Sequence, residues 1–177
     1  MINYPYLKLF KLFISSKFKK QIDIKDKSVI YFRAGLFDID LNNEINNGRY
    51  QVLCDLGRYN HGFLTSWFKK AIKYKFYPTV VSVVAKFRYR IPFGKKFKIT
   101  TQLVFSDKRW LYFQQNFYLK DKLCSSFFVK TGTVKKGKLI NNSDLEKYLN
   151  VKVNFVNEPN IMKKFNDIDQ CFHGFKN

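Results

Sequence analysis

Three carboxylates, Asp38, Asp40 and Glu44, lie in one polar stretch that runs directly into Asn46, Asn47 and Gly48. A carboxylate beside an acyl carbonyl can attack it or activate a water against it. Asp and Asn favour turns and helix N-caps, so the stretch reads as a loop that ends at a helix start. The first amides of a helix have no internal partners, and the helix dipole is positive there. Developing negative charge is therefore favoured at that point. A thioester carbonyl held there gains an oxyanion hole, and a single donor of that kind supplies about 3 kcal/mol. Asp40 is the carboxylate expected to act on it.

The elements that must position this loop can be read on either side of it. Residues 27–34 have the β-branched and aromatic character of a strand. From about Asn46 the apolar and small residues Tyr50, Leu53, Cys54, Gly57, His61, Leu64, Phe68 and Ala71 recur at three and four. That spacing predicts one long amphipathic helix ending before Pro78. Gly57 weakens a helix, so its place on the buried stripe predicts a close approach to a sheet. Four strands are expected next, over Val80–Ile91, Phe97–Phe105, Trp110–Leu119 and Leu123–Val134, with turns at Phe93-Gly94, Ser106-Asp107 and Asp121-Lys122. Their alternation over half-polar faces predicts an antiparallel meander. A lone helix of this length buries its stripe only if the sheet curls around it. Three regions result: an amphipathic N-terminal segment (1–26), an α+β domain of about five strands (27–140), and a tail with short helices (141–177).

The stretch from Asp38 to Tyr50 resembles the D-x-D-x-N-x-H-x-N-N-x-R-Y signature of the 4-hydroxybenzoyl-CoA-thioesterase-like hotdog proteins. More narrowly it is similar to their bacterial acyl-CoA thioesterase branch, with Asp55-Leu56-Gly57-Arg58 matching a following D-L-G-R segment. The likeness runs from about Lys27 to Ile140 and implies a hotdog fold. It also implies hydrolysis of an acyl thioester carried by CoA or an acyl carrier protein. The catalytic carboxylate of the family falls on Asp40, and its helix-start donors on Asn46, Asn47 and Gly48. The resemblance further implies a homodimer or dimer of dimers with an acyl tunnel between subunits. One position departs from the signature: Glu44 stands where the family commonly has His. If Glu44 lies close to Asp40, the two cannot easily both ionise, and a shared proton would let Glu44 donate as the His does. The same substitution suits a protein that binds an acyl thioester without turning it over.

Other residues have plainer readings. Tyr50, one turn into the helix, suits the core or the wall of an acyl tunnel. Asp55 and Arg58 are spaced to pair on the helix, and Arg58 is a candidate at the substrate mouth. His61 lies on the buried stripe and is expected to be a core histidine; His173 sits in a polar tail. With two histidines and three dispersed cysteines (Cys54, Cys124 and Cys171), neither a metal site nor a disulfide framework is expected. No cofactor is expected either.

The net charge of +20, on 33 Lys+Arg against 13 Asp+Glu, favours phosphates or anionic lipid. The absence of a nucleic-acid-binding motif argues against nucleic acid. Lysine clusters at 69–70, 95–98 and 135–138 are expected to be solvated, or to meet the phosphates of CoA or an acidic carrier protein. Residues 4–14 are apolar apart from Lys8 and Lys11 and too short to span a bilayer, which takes about 20 residues. Two placements suit them: a helix docked on its own domain or on a partner subunit, or a membrane-surface contact through residues 4–20 backed by Lys17, Lys19 and Lys20. The corresponding location is cytoplasmic, or peripheral to the inner face of the membrane.

Overall fold

The computed structural model describes residues 4–153, 155 and 160–171, so His173 lies outside the described residues. Helix α1 (Tyr6–Ser16) precedes strand β1 (Ser28–Arg33) and a short 3-10 turn at Leu36–Asp38. Helix α2 (Asn47–Leu64) begins where the sequence predicts, with Asn46 as its N-cap. The expected single helix is, however, broken. Ser66 adopts a left-handed conformation (φ 59°), and a second helix, α3 (Trp67–Tyr74), follows it. A left-handed residue reverses the curl of the backbone and cannot continue an α-helix. The turn sends Trp67 and Ala71 into a separate apolar cluster instead of along the α2 stripe.

Strands β2 (Phe76–Phe87), β3 (Lys96–Ser106), β4 (Trp110–Leu119), β5 (Lys122–Lys135) and the short β6 (Lys138–Leu139) follow, then helices α4 (Asn142–Leu149) and α5 (Asn160–Cys171). Pro78 lies inside β2 and does not end a helix. This is tolerated because β2 is the last strand on its side of the sheet, where a missing N–H breaks no ladder. All pairings are antiparallel, in the order β1-β3-β4-β5-β2, with β6 on β5. The expected meander therefore holds for β3, β4 and β5 only, because β2 crosses over to pair with β5.

The sheet wraps α2, giving the hotdog arrangement. Register shifts at Val80/Ser82, Leu103/Phe105 and Phe117/Tyr118 add the local twist that a curled sheet needs. The main core joins Leu53, Cys54 and Leu56 of α2 to Ile30, Phe97, Ile99, Phe117, Phe127 and Val129 of the sheet. Gly57 lies against the sheet as its position predicts: a Cβ there would come within 2.6 Å of Gln115 Nε2 and of Thr101 Oγ1. Helix α1 docks on the same domain, burying Leu12 and packing Leu9 against the core. On the other side of β4, α5 covers Phe105 and Tyr112 with Met162 and Phe165.

Candidate functional site

The acidic loop is a small hairpin pinned to the start of α2. Ile39 pairs with Ile45 and Glu44 with Pro92. The Asp40 amide donates to the Glu44 carbonyl at 2.9 Å, and left-handed Asn43 makes the turn (φ 60°). Asp40 is half-buried, and its Oδ1 accepts from the Asn42 amide at 2.8 Å. Glu44, also half-buried, stands on the opposite limb of the hairpin. No hydrogen bond joins the two carboxylates among the described residues.

The carboxylate that is deeply buried is Asp38, at 1% exposure. Its Oδ1 accepts from Arg49 Nε and its Oδ2 from Lys8 Nζ, both at 2.8 Å. The Gly35 amide also donates to Oδ2, at 3.0 Å. Burial alone would raise the Asp38 carboxyl, but the hydrogen bonds from Lys8, Arg49 and Gly35 outweigh it and hold the carboxyl below its ordinary value. This one residue fastens α1, the 3-10 turn and the first turn of α2 together. Sequence reasoning missed this role, although Asp38 opens the same motif in which Arg49 is the last residue but one.

At the helix start the expected donors divide. The Asn46 amide donates to the Asp38 carbonyl, and the Gly48 amide donates to Asn46 Oδ1, each at 2.9 Å. The Asn47 amide is left without a hydrogen-bond partner among the described residues. The Asn46 and Asn47 side chains and Gly48 are exposed beside it.

Tyr50 lies in the core, 3% exposed, with ring centroids 4.9 Å from Phe117, 5.2 Å from Phe87 and 5.7 Å from Phe127. Burial pushes its hydroxyl up to about 12. Arg58 is separate from the loop, about 16 Å beyond Asn47 along the helix axis. It pairs with Asp55 as expected and also donates from Nη1 to Gln115 Oε1 at 2.5 Å. Gln115 is fully buried and donates in turn to the Cys54 carbonyl and Thr101 Oγ1, both at 2.9 Å. A glutamine in the inward register of β4, between Phe113 and Phe117, was the signal available for this link. Burial raises the Asp55 carboxyl, against the pull of Arg58.

Asp55 and Arg58 stand at a cavity of about 250 Å³ between the second half of α2 and strands β2, β4 and β5. Neither Asp40 nor Glu44 lines it. This apolar cavity is thus displaced from the acidic loop. His61 reaches its wall with both ring nitrogens engaged: Nε2 is 3.0 Å from the Ile24 carbonyl and Nδ1 is 3.3 Å from Ser28 Oγ. A carbonyl only accepts, so Nε2 carries the proton. Burial lowers the imidazole to about 4, which fits a neutral core histidine. Among the lysine clusters, Lys95, Lys96 and Lys98 line a second, basic depression with Tyr31, Tyr118 and Lys120. Lys70, in contrast, is tied to the Leu149 carbonyl.

The family described as the thioesterase-like superfamily matches residues 35–154, more than half of the chain. The chain belongs to that superfamily. Its acidic loop, its central helix and the whole sheet except β1 lie inside the matched residues. The zebrafish (Danio rerio) protein THEM6 is 30% identical over 98 residues, which are 55% of this chain and 48% of that protein. The chain thus matches about half the length of that relative. Among solved structures, the probable thioesterase YbaW from Escherichia coli aligns with a TM-score of 0.61 at 16% identity, over 70% of this chain and 95% of that one. A Staphylococcus aureus protein solved in complex with CoA aligns with a TM-score of 0.55 at 12% identity, over 80% of this chain and 94% of its own. At such identities these bacterial structures share the fold alone. The sequence match reported is to an animal protein and gives no support to the narrower bacterial affiliation.

Proposed function

We propose that this chain hydrolyses an acyl thioester of CoA or of an acyl carrier protein at the start of α2. The observation that carries the reading is the free Asn47 amide at the helix N-terminus, next to a hairpin presenting Asp40. The reacting carbonyl sits against Asn47, with the Asn46 and Asn47 side chains and the Gly48 backbone around it. Asp40 either attacks the carbonyl carbon or removes a proton from a water that does. In the second case the water oxygen bonds to the carbonyl carbon, the C–S bond breaks and the thiolate takes up the proton. In the first the C–S bond breaks to leave an acyl-aspartyl anhydride, which water hydrolyses to free Asp40 and to supply the thiolate's proton. Either route ends in a carboxylic acid and a thiol. Membership of the thioesterase-like superfamily and the CoA-bound relative of similar fold support this choice of substrate. The basic depression at Lys95, Lys96 and Lys98 suits the CoA phosphates.

The test is a panel of acyl-CoAs from short to long, assayed for free thiol. Asp40→Asn and Asp40→Ala proteins are expected to lose at least a hundredfold in turnover with unchanged melting. Full activity in Asp40→Asn would remove the role given to Asp40. The substitution of Glu44 for the motif's His favours a second reading, a chain that binds acyl thioesters without cleaving them. Glu44→His separates the two, since a gain of turnover supports the binding-only reading and a loss supports Glu44 as the proton-sharing partner of Asp40.

The site is read as part of a homodimer or dimer of dimers, because β2 ends the sheet with Tyr77, Val80, Val81, Val84 and Phe87 exposed along it. Long apolar edges of this kind are normally covered. The outer face of α1 is read as a contact with anionic membrane surface. Leu7, Phe10 and Phe18 are 80%, 61% and 86% exposed, beside Lys11, Lys17, Lys19 and Lys20. No helix among the described residues is long and apolar enough to cross a membrane. Co-sedimentation with phosphatidylserine vesicles tests this contact: binding should weaken about tenfold in Phe10→Asp and with added salt. Equal binding to neutral vesicles would count against it.

A further inference from the structure

The loops around Asp40 are laced together and carry large apolar side chains that the hydrolytic reading leaves unused. The Phe93 amide donates to the Asn43 carbonyl at 3.1 Å, which ties the turn between β2 and β3 to the hairpin. The Gly94 amide donates to the Ala34 carbonyl at 2.8 Å and the Ala34 amide to the Lys95 carbonyl at 3.0 Å. The same turn is thereby tied to the chain that enters the 3-10 turn. Leu36 and Phe37 on the 3-10 turn are 69% and 75% exposed, and Phe93 is exposed on its own turn. Leu41, the residue after Asp40, is fully exposed on the hairpin. Single surface leucines need no explanation, but bulky apolar groups gathered on neighbouring loops mark a contact.

Cations stand beside them. Arg33, Lys95 and Lys96 are exposed, and Arg33 Nη1 donates to the Gly94 carbonyl at 2.6 Å, which holds the guanidinium against the Phe93 turn. They outnumber the two half-buried carboxylates of the hairpin, Asp40 and Glu44. Asp38 is already neutralised by Lys8 and Arg49. The Lys8–Asp38 ion pair also sets α1, with Leu7 exposed next to Lys8, alongside the 3-10 turn.

We infer that this apolar and basic group of loops rests on an anionic lipid surface, and that the acyl thioester reaches Asp40 from the bilayer instead of from water. The inference rests on the thioester-hydrolase reading for the role of Asp40. A stable protein contact needs about 800 Å² on each side, and separate side chains on three narrow turns do not make such a face. A headgroup layer admits such side chains one by one and offers phosphates to the cations around them. Leu41 and Asp40 are consecutive, about 3.8 Å apart at Cα. A turn that enters the headgroup layer through Leu41 therefore carries the reacting carboxylate to its edge. A long acyl chain keeps its far end in the hydrocarbon while its carbonyl meets Asn47. A short acyl thioester stays in water and gains nothing from the surface. The substrate class is thus a long-chain acyl thioester held in a membrane.

The experiment uses the full chain with phosphatidylcholine vesicles containing phosphatidylserine. Binding is read by co-sedimentation, and turnover on palmitoyl-CoA dispersed in the vesicles. Phe37→Ser combined with Leu41→Ser should weaken both at least tenfold and leave the sedimentation of the free protein unchanged. Contact is read directly with Leu41→Trp, whose emission should be quenched by brominated phosphatidylcholine well beyond that of the native Trp67 and Trp110. Vesicle binding equal to wild type in the serine variant, or no added quenching at position 41, would overturn the inference. So would palmitoyl-CoA turnover that ignores the serine substitutions, or a shift of that variant from dimer to monomer, which would mean that a second copy covers the loops. If the serine variant does not fold, the quenching decides. Loops that bind lipid in a protein that cleaves no acyl thioester would sink the hydrolase reading and leave the lipid contact standing.

Discussion

Asp38 and Asp40 are the same residue type two positions apart, yet the fold gives them opposite environments. One is sealed between Lys8 and Arg49, and the other sits half-exposed on a hairpin. The motif pointed to a loop with a carboxylate at a helix start, and that much was legible. Which carboxylate would be buried was not, because the deciding partner, Lys8, lies thirty residues earlier on another helix. His61 shows the converse. Its place on the apolar stripe was enough to mark it as a core residue, and its proton balance gives a measurable consequence. Burial lowers the folded imidazole from its ordinary value of 6.5 to about 4. Above pH 6.5 both states are neutral and the group contributes nothing. As the pH falls from 6.5 toward 4 the unfolded chain takes up a proton that the folded chain refuses, costing up to about 3 kcal/mol. Urea midpoints measured across that window should fall for the wild type and fall less for His61→Gln. A parallel pH dependence in the two proteins would contradict this account.

The central helix shows how far periodicity carries at the scale of the element. The stripe from Tyr50 to Leu64 was correct, as was the reading of Gly57 as a point of contact with the sheet. The extension to Ala71 was not, since spacing alone does not register a left-handed turn at Ser66. Individual strands were legible from alternation, but the crossing of β2 to the far edge was not. Pairing depends on how the sheet closes on the helix, and no local pattern encodes it. Gly57→Ala tests the contact directly. The added methyl meets Gln115 Nε2 and Thr101 Oγ1 at 2.6 Å, inside the network that holds Arg58. The expected loss is about 2 kcal/mol in chemical denaturation, accompanied by weaker acyl-CoA affinity as Arg58 is released. An unchanged midpoint would mean that helix and sheet adjust freely.

At the scale of the whole molecule, β2 ends the sheet and carries the proposed dimer contact. Val80, Val81, Val84 and Phe87 are partly exposed along β2, the outermost strand, whose paired neighbour is β5. Charge and composition gave no sign of this edge, because exposure of a strand appears only once the order of the sheet is known. Sedimentation of the wild-type protein is expected to report a dimer. Val81→Lys with Val84→Lys should shift it toward monomer and reduce thioester turnover at least tenfold. A wild type that stays monomeric at high concentration would remove the edge as an interface.

The three-way fastening at Asp38 has a practical corollary for shortened versions of the protein. Trimming the front of the chain past Lys8 would strip away one of the two cations that, among the described residues, neutralise a sealed carboxylate, leaving Arg49 to face it. The hairpin that displays Asp40 hangs from the same anchor, through the Asn46 amide and the Asp38 carbonyl. A deletion intended only to improve handling would therefore slacken the hairpin, and weaker thermal stability in such a truncate would trace to the lost latch.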